Sequence, residues 1–172
     1  MVTRHDGVAR MVWNVTEQVS VTREIAAPAE QVWAMVSDVT RMGEWSPENV
    51  GGTWLGGATG PEPGAKFRGT NRRGTKKWNT VGAVIEADPG RRFSFRVTAA
   101  GLKVAEWSYA FEPTATGCQV TETWVDQRGG IVRALGKPVS GISDRASHNR
   151  AGMEQTLERL AAVAEESSSA PS

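Results

Sequence analysis

Residues 138–166 read PVSGISDRASHNRAGMEQTLERLAAVAEE, and their apolar positions constrain the fold more than any other part of the chain. These positions recur at steps of three and four residues, as in an amphipathic helix that lies on an apolar surface. They are Val139, Ile142, Ala146, Met153, Leu157, Leu160 and Ala164. We therefore expect a long C-terminal helix whose apolar face covers another element of the fold.

The chain before this helix has mostly the alternating pattern of β-strands. Residues 15–25, 92–98 and 102–111 alternate apolar and polar side chains, and glycine- or proline-containing turns separate the strands. After the first strand, Pro28 opens a helix over residues 29–38, and a second short helix follows. The predicted class is α+β, with the long helix covering the concave face of a sheet. Such a fold encloses a cavity suited to a small apolar ligand.

Composition and length set the domain organisation and exclude several classes of function. The 172 residues suit one domain, and we expect a flexible segment at 1–12, the domain at 13–166 and a disordered tail at 167–172. The 20 Lys and Arg nearly balance 19 Asp and Glu, which argues against a nucleic-acid partner. No apolar stretch is long enough for a membrane span, and no signal-peptide core precedes the first strand, so we expect a cytoplasmic protein. No cofactor is predicted, and the oligomeric state is left open.

Large aromatic side chains are the candidates for the cavity wall. Seven tryptophans stand against one tyrosine, and such side chains fill cores as well as line pockets. The candidates are Trp54, Phe67, Trp78, Phe95, Trp107, Tyr109 and Trp124, with Met153 at the centre of the helical stripe. Tyr109 also brings a phenol that can donate a hydrogen bond to a ligand.

Glu122 is the acidic candidate for the site. It shares a strand face with Val120 and Trp124, which read as inward-facing. A carboxyl group beside tryptophans in a dry cavity has a raised pKa, which suits a general acid or an anchor for a ligand hydroxyl. Two alternatives remain: the strand has the opposite phase, or Glu122 pairs with an arginine.

Two amides are further candidates. On a helical wheel Asn149 lies about 40° from Met153, within the apolar stripe, whereas His148 lies about 140° away on the outer face. Asn149 either hydrogen-bonds a ligand or satisfies a buried backbone group or water. Asn71 shares its phase with Phe67 and either faces the cavity or satisfies groups near the strand end.

Several familiar catalytic and metal-binding patterns are missing from the sequence. The two histidines lie far apart, which argues against a histidine metal site. Cys118 is the one cysteine, and an outward-facing His148 cannot activate it as a nucleophile. The glycine-rich residues 51–64 lack the Gly-Lys-Ser/Thr ending of a phosphate loop. No Gly-x-Ser-x-Gly elbow is present.

The element order and several short motifs resemble the SRPBCC superfamily, with its START-like and polyketide cyclase-like members. The motifs are APAEQVW at 27–33, WSPE at 45–48, GAKFRG at 64–69, DPGRRFSF at 88–95 and WSYAFEP at 107–113. The resemblance covers roughly residues 15–165. Within the superfamily, the chain is similar to small single-domain actinobacterial members. It implies a helix-grip fold, a seven-stranded antiparallel sheet wrapped around the long C-terminal helix with a cavity between. Members bind lipids, sterols, polyketides or plant hormones, and a minority catalyse cyclisation or dehydration.

Together these patterns favour a protein that binds or carries a small hydrophobic molecule, such as a lipid, fatty acid or polyketide-like aromatic, without catalysis. One alternative is a cyclase or dehydratase, with Glu122 or Tyr109 moving a proton. Another is a surface-mediated protein-interaction module, which a filled cavity and a large exposed apolar patch would favour.

Overall fold

The computed structural model describes residues 17–130, 132–134 and 141–169, and its elements follow the predicted order. They are β1 (Gln18–Ile25), α1 (Ala29–Ser37), a 3₁₀ helix (Val39–Glu44), β2 (Asn49–Leu55), β3 (Lys66–Arg73), β4 (Lys76–Asp88), β5 (Arg92–Ala99), β6 (Leu102–Pro113), β7 (Cys118–Asp126) and α2 (Arg145–Ser169). All seven strands form one antiparallel sheet in the order β1-β7-β6-β5-β4-β3-β2. The predicted α+β helix-grip architecture is confirmed.

The alternation in the sequence corresponds to the two faces of this sheet. Phe93, Phe111 and Val120 are buried on the inner face. On the outer face, the hydroxyls of Ser20 and Thr123 are hydrogen-bonded across β1 and β7 at 2.9 Å. Burying one face and leaving polar side chains on the other fixes the register of each strand, because a one-residue slip would reverse both faces.

Irregularities in three strands bend the sheet around α2. The register shifts between Asn49 and Gly51 in β2, between Val84 and Glu86 in β4, and between Val97 and Thr98 in β5. A bulge bends its strand and increases the local twist. Because α2 lies mainly against β1, β7 and α1, the curved strands β3–β6 leave space in front of its N-terminal half.

A glycine in β4 allows an aromatic side chain to lie against the sheet. Gly82 is the cross-strand partner of Phe67, and a Cβ atom at position 82 would overlap the Phe67 ring. Gly52 has a similar role in β2, where a Cβ atom would lie 2.6 Å from the carbonyl oxygen of Val39. The two glycines therefore permit close approach of an inward-facing ring and of the 3₁₀ helix.

The main hydrophobic core lies at the C-terminal half of α2. Leu157, Leu160 and Ala164 are fully or almost fully buried there, together with Val32 of α1. Since the core fills the space beside the second half of α2, the first half of the helix borders the remaining space.

Of the described helices, none is long and apolar enough to cross a membrane.

The helix bounds differ from the predicted ones at both ends. At the start, Asp144 caps the first turn by accepting hydrogen bonds from the backbone N–H and hydroxyl of Ser147, so the helix begins at Arg145. At the end, α2 continues through residues 167–169, where we expected disorder. The Ser168 hydroxyl donates to the Ala164 carbonyl and to Gln31 of α1, which holds this turn in place. Predictions for residues 1–12, 138–140 and 170–172 lie outside the described residues.

Candidate functional site

A cavity of about 170 Å³ lies between the N-terminal half of α2, the segment after the 3₁₀ helix and the inner face of β3–β7. Almost all the predicted wall residues line it. They are Phe67, Asn71, Trp78, Phe95, Trp107, Tyr109, Glu122, Trp124, Asn149 and Met153. Residues from five strands and one helix therefore meet in a single site, although they are spread over much of the chain.

The aromatic wall has the geometry of a packed cluster. The rings of Phe67 and Phe95 meet edge to face, with centroids 5.3 Å apart. Trp107 and Trp124 are cross-strand partners in β6 and β7, so they project side by side from the same face. Edge-to-face and cross-strand contacts hold such rings in fixed positions, which gives the cavity a stable apolar wall.

Trp54 is the one predicted wall residue that does not line the cavity. It lies near the end of the edge strand β2, opposite Phe67, and touches the edge of that ring at a centroid distance of 5.7 Å. The cavity borders β2 at Asn49, which is about 17 Å away along an extended strand. The structure therefore places Trp54 against Phe67 and outside the cavity wall.

The predicted inward phase of Glu122 is correct. Its side chain is 2% exposed and forms part of the cavity wall. The hydroxyl of Tyr109, its cross-strand partner in β6, donates a 2.7 Å hydrogen bond to Oε1 of Glu122. Oε2 is buried and has no hydrogen-bond partner among the described residues.

Burial dominates the electrostatics of this pair. Loss of solvent raises the pKa of Glu122 to about 8, although the Tyr109 hydrogen bond lowers it in part. Burial and the neighbouring Glu122 also raise the pKa of Tyr109 well above its ordinary value. At neutral pH both groups are therefore neutral. A protonated Glu122 carries one O–H that Tyr109 does not use, so it can donate to a carbonyl or hydroxyl oxygen in the cavity.

The two predicted amides have different surroundings. Asn71 accepts a 3.4 Å hydrogen bond from the amide of Asn49 and donates one of 3.3 Å to the Thr80 hydroxyl. Asn149 is buried, and its side chain makes no hydrogen bond to a described residue. Asn71 is therefore satisfied by its neighbours, whereas Asn149 keeps its full hydrogen-bonding capacity toward the cavity.

The expectation that His148 faces outward is wrong. It lines the cavity, and its Nε2 lies 2.9 Å from Oε2 of Glu48. The helical wheel placed it correctly relative to Met153, but the segment after the 3₁₀ helix folds over that side of α2. A surface that would be solvent-exposed on an isolated helix is thus covered by Glu48.

Glu48 and Arg145 complete a polar cluster at the cavity mouth that sequence reasoning missed. Nη1 of Arg145 lies 3.3 and 3.4 Å from the two carboxylate oxygens of Glu48. The side chains of Arg145, Glu48 and His148 are 17%, 25% and 32% exposed, so this end of the cavity reaches solvent. Burial lowers the pKa of Arg145. One signal was available: Arg145 lies about 80° from Met153 on the helical wheel, at the edge of the apolar stripe.

A second charged group borders the same end. Asp126, at the end of β7, accepts two hydrogen bonds of 2.9 Å from the guanidinium of Arg128 and one of 2.9 Å from its backbone N–H. Nη2 of Arg133 lies 3.2 Å from Oδ2 of Asp126, an oxygen that also accepts a hydrogen bond from Arg128. Arg128 also lines the cavity, and its hydrogen bonds to the buried carboxylate of Asp126 hold its guanidinium in place. Among the described residues, no cluster of His, Cys, Asp and Glu could hold a metal ion.

The fold and the cavity define an SRPBCC-type helix-grip protein. The chain belongs to the family described as polyketide cyclase/dehydrase and lipid transport, whose model matches residues 16–165. This membership supports a ligand-binding or cyclase-type function and does not identify the ligand. No curated protein matches the chain.

Solved structures agree with this assignment. A polyketide-cyclase-like protein of Corynebacterium glutamicum is 32% identical, with a TM-score of 0.63 over 91% of this chain and 96% of its own. A protein of Chromobacterium violaceum is 16% identical, with a TM-score of 0.66 over 86% and 97%. The di-domain ARO/CYC protein StfQ of the steffimycin biosynthetic pathway is 14% identical, with a TM-score of 0.68 over 90% and 52%. The last two show similarity of fold alone.

Proposed function

We propose that the protein binds a small hydrophobic molecule in the cavity between sheet and α2 and releases it unchanged. The observation that carries this proposal is an aromatic cavity whose wall holds a buried carboxyl group, Glu122, with one oxygen that no described residue binds. Burial of apolar ligand surface against Trp107, Trp124 and Met153 supplies affinity, at about 25 cal/mol per Å² before the entropic costs of binding. Glu122 and Asn149 orient the ligand through its oxygen atoms.

Native mass spectrometry of the protein purified from its own host, followed by organic extraction, tests this proposal. We expect a stoichiometric apolar molecule. If none co-purifies, a polarity-sensitive dye should still become fluorescent on binding. A protein that is empty and leaves the dye dark would contradict the proposal and favour the surface-mediated alternative.

A matched pair of variants locates the binding. Gly152 lines the cavity, and a Cβ atom there would make only an ordinary 3.6 Å contact with Pro47. Gly152→Phe therefore fills the cavity and should abolish dye binding. Ala151→Phe adds the same ring on the exposed face of the same helix and should leave dye binding intact. Equal effects of the two variants would place the dye elsewhere.

A cyclase- or dehydratase-type activity is a second candidate, favoured by the Tyr109–Glu122 pair. A carboxyl group with a pKa of about 8 can give and take a proton near neutral pH. Glu122→Gln keeps the acceptor for the Tyr109 hydroxyl and removes the transferable proton. Loss of turnover on a polyketide-like substrate with retained binding would support the enzyme. Unchanged product formation would exclude Glu122 as the acid.

A further inference from the structure

The cavity has two polar ends of different character. Glu122 marks the inner end, and Asp126 and Arg128 stand at the other end of the same strand face, beyond Trp124. Glu122 and Asp126 are four positions apart along an extended strand, which corresponds to about 13 Å. Along α2, Arg145 stands at the mouth, and the buried Thr156, about 16 Å further on, stands at the inner end.

Positive charge exceeds negative charge at the mouth. Asp126 is shared by Arg128 and Arg133, and Glu48 is shared by Arg145 and His148. Each carboxylate at the mouth thus serves two basic side chains. Arg145 touches Glu48 through Nη1 alone, so the rest of its guanidinium has no partner among the described residues.

Neighbouring arginines add to the excess of positive charge at the cavity mouth. Arg128 and Arg73 are both close enough to repel the charge of Arg145, and this repulsion adds to the burial that lowers its pKa. Beyond the mouth, a groove lined by Pro47, Glu48 and His148 continues to Arg72 and Arg73 at the end of β3. An anion placed at the mouth would be attracted by all of these arginines.

We propose that the ligand is an amphiphile with an anionic head group, a carboxylate or phosphate, that binds Arg145 at the mouth while its apolar body fills the cavity. This inference rests on the proposed function and deepens it by naming the ligand class. Guanidinium groups bind both anions through parallel N–H···O hydrogen bonds. The reverse orientation is disfavoured, because an anionic head group at the inner end would be buried beside Glu122 and Thr156 without a cation.

Calorimetric titration with three ligands that have the same ten-carbon alkyl chain and different head groups tests the proposed ligand class. Decanol is the neutral probe, and decanoate and decyl phosphate are the two anionic probes. We expect the wild-type protein to bind at least one anion more tightly than decanol, and the stronger anion identifies the head group. If decanol binds as tightly as both anions, the head-group inference is overturned and the proposed function stands. If none of the three binds, both are overturned.

Arg145→Gln should reduce the preference for the anion over decanol by about tenfold or more, since a hydrogen bond to a charged group is lost. Arg92→Gln is the matched control, because Arg92 makes an exposed ion pair with Glu86 and does not line the cavity. An equal change in both variants would contradict the proposal.

A second variant tests the proposal if Arg145→Gln fails to fold. Glu48→Gln removes the carboxylate that competes for Arg145 and keeps the shape of the side chain. The preference for the anion should then increase several-fold, by the same electrostatic argument. A decrease would show that Glu48 assists the ligand instead of competing with it, and the proposed role of Arg145 would be wrong.

Discussion

The Tyr109 hydroxyl donates a 2.7 Å hydrogen bond to Glu122 directly across β6 and β7, inside a cavity wall that excludes water from both groups. Burial raises the pKa of Glu122 against the opposing effect of this hydrogen bond and so favours the neutral carboxylic acid. It explains how an ionisable residue fits in an aromatic cavity, and it has consequences for stability as well as for binding.

The stability of the protein should decrease as the pH rises from about 4.5 to about 8. The ordinary pKa of Glu122 is 4.5, and burial raises it to about 8 in the folded state. Between these values the folded protein holds a proton that the unfolded chain has lost, so the free energy of unfolding falls with rising pH. The loss reaches a few kcal/mol at most, at about 1.4 kcal/mol per pKa unit.

Denaturant unfolding at pH 5, 7 and 9 measures this dependence. Glu122→Gln cannot ionise, so its stability should fall less than that of the wild type over this range. Glu112→Gln, at an exposed position in β6, serves as the control and should follow the wild type. Parallel curves for all three proteins would show that Glu122 does not titrate in this window.

Trp107→Ala should weaken the binding of decanol about tenfold, because the ligand loses an aromatic contact surface. Trp54→Ala should have a much smaller effect, since Trp54 touches Phe67 and does not line the cavity. Calorimetric titration of both variants compares the two tryptophans. A larger effect of Trp54→Ala would mean that the cavity reaches further along β2 than its lining residues indicate.

Gly82→Ala should destabilise the fold by about 1–3 kcal/mol, because the new methyl group would overlap the Phe67 ring and force it to move. Gly60→Ala is a suitable control, since no atom lies within 4 Å of the added carbon. Denaturant midpoints give both values. An unchanged denaturant midpoint for Gly82→Ala would mean that the Phe67 ring moves aside without lowering the stability of the fold.

Cys118 should resist thiol reagents in the folded protein. Its side chain is fully buried, and burial raises the pKa of the thiol, as do the nearby Glu30 and Glu24. Modification then requires unfolding, so labelling at pH 8 should be at least about a hundredfold slower than in denaturant. Fast labelling of native protein would show local opening around β7.

Short-range patterns predicted most of the fold and the inner half of the site. Alternation along β7 placed Glu122 and Trp124 on the inner face, and the helical stripe placed Met153 and Asn149. These predictions succeeded because the period of side-chain direction in a strand or helix is a local property. The mouth was missed, since Glu48 and Arg145 are 97 residues apart in the chain.

Local sequence patterns were sufficient for the element types, the buried faces and the inner carboxyl group, because each follows from residues within a few positions of one another. Which aromatic residues share the cavity depends on contacts between distant strands. Strand register placed Trp107 beside Trp124 and moved Trp54 to the far end of β2. The tertiary fold also places the segment after the 3₁₀ helix over α2. His148 therefore contacts Glu48 at the cavity mouth instead of facing solvent. Contacts between segments that are distant in the chain depend on how the sheet curves, and the local pattern of apolar and polar residues does not specify this curvature.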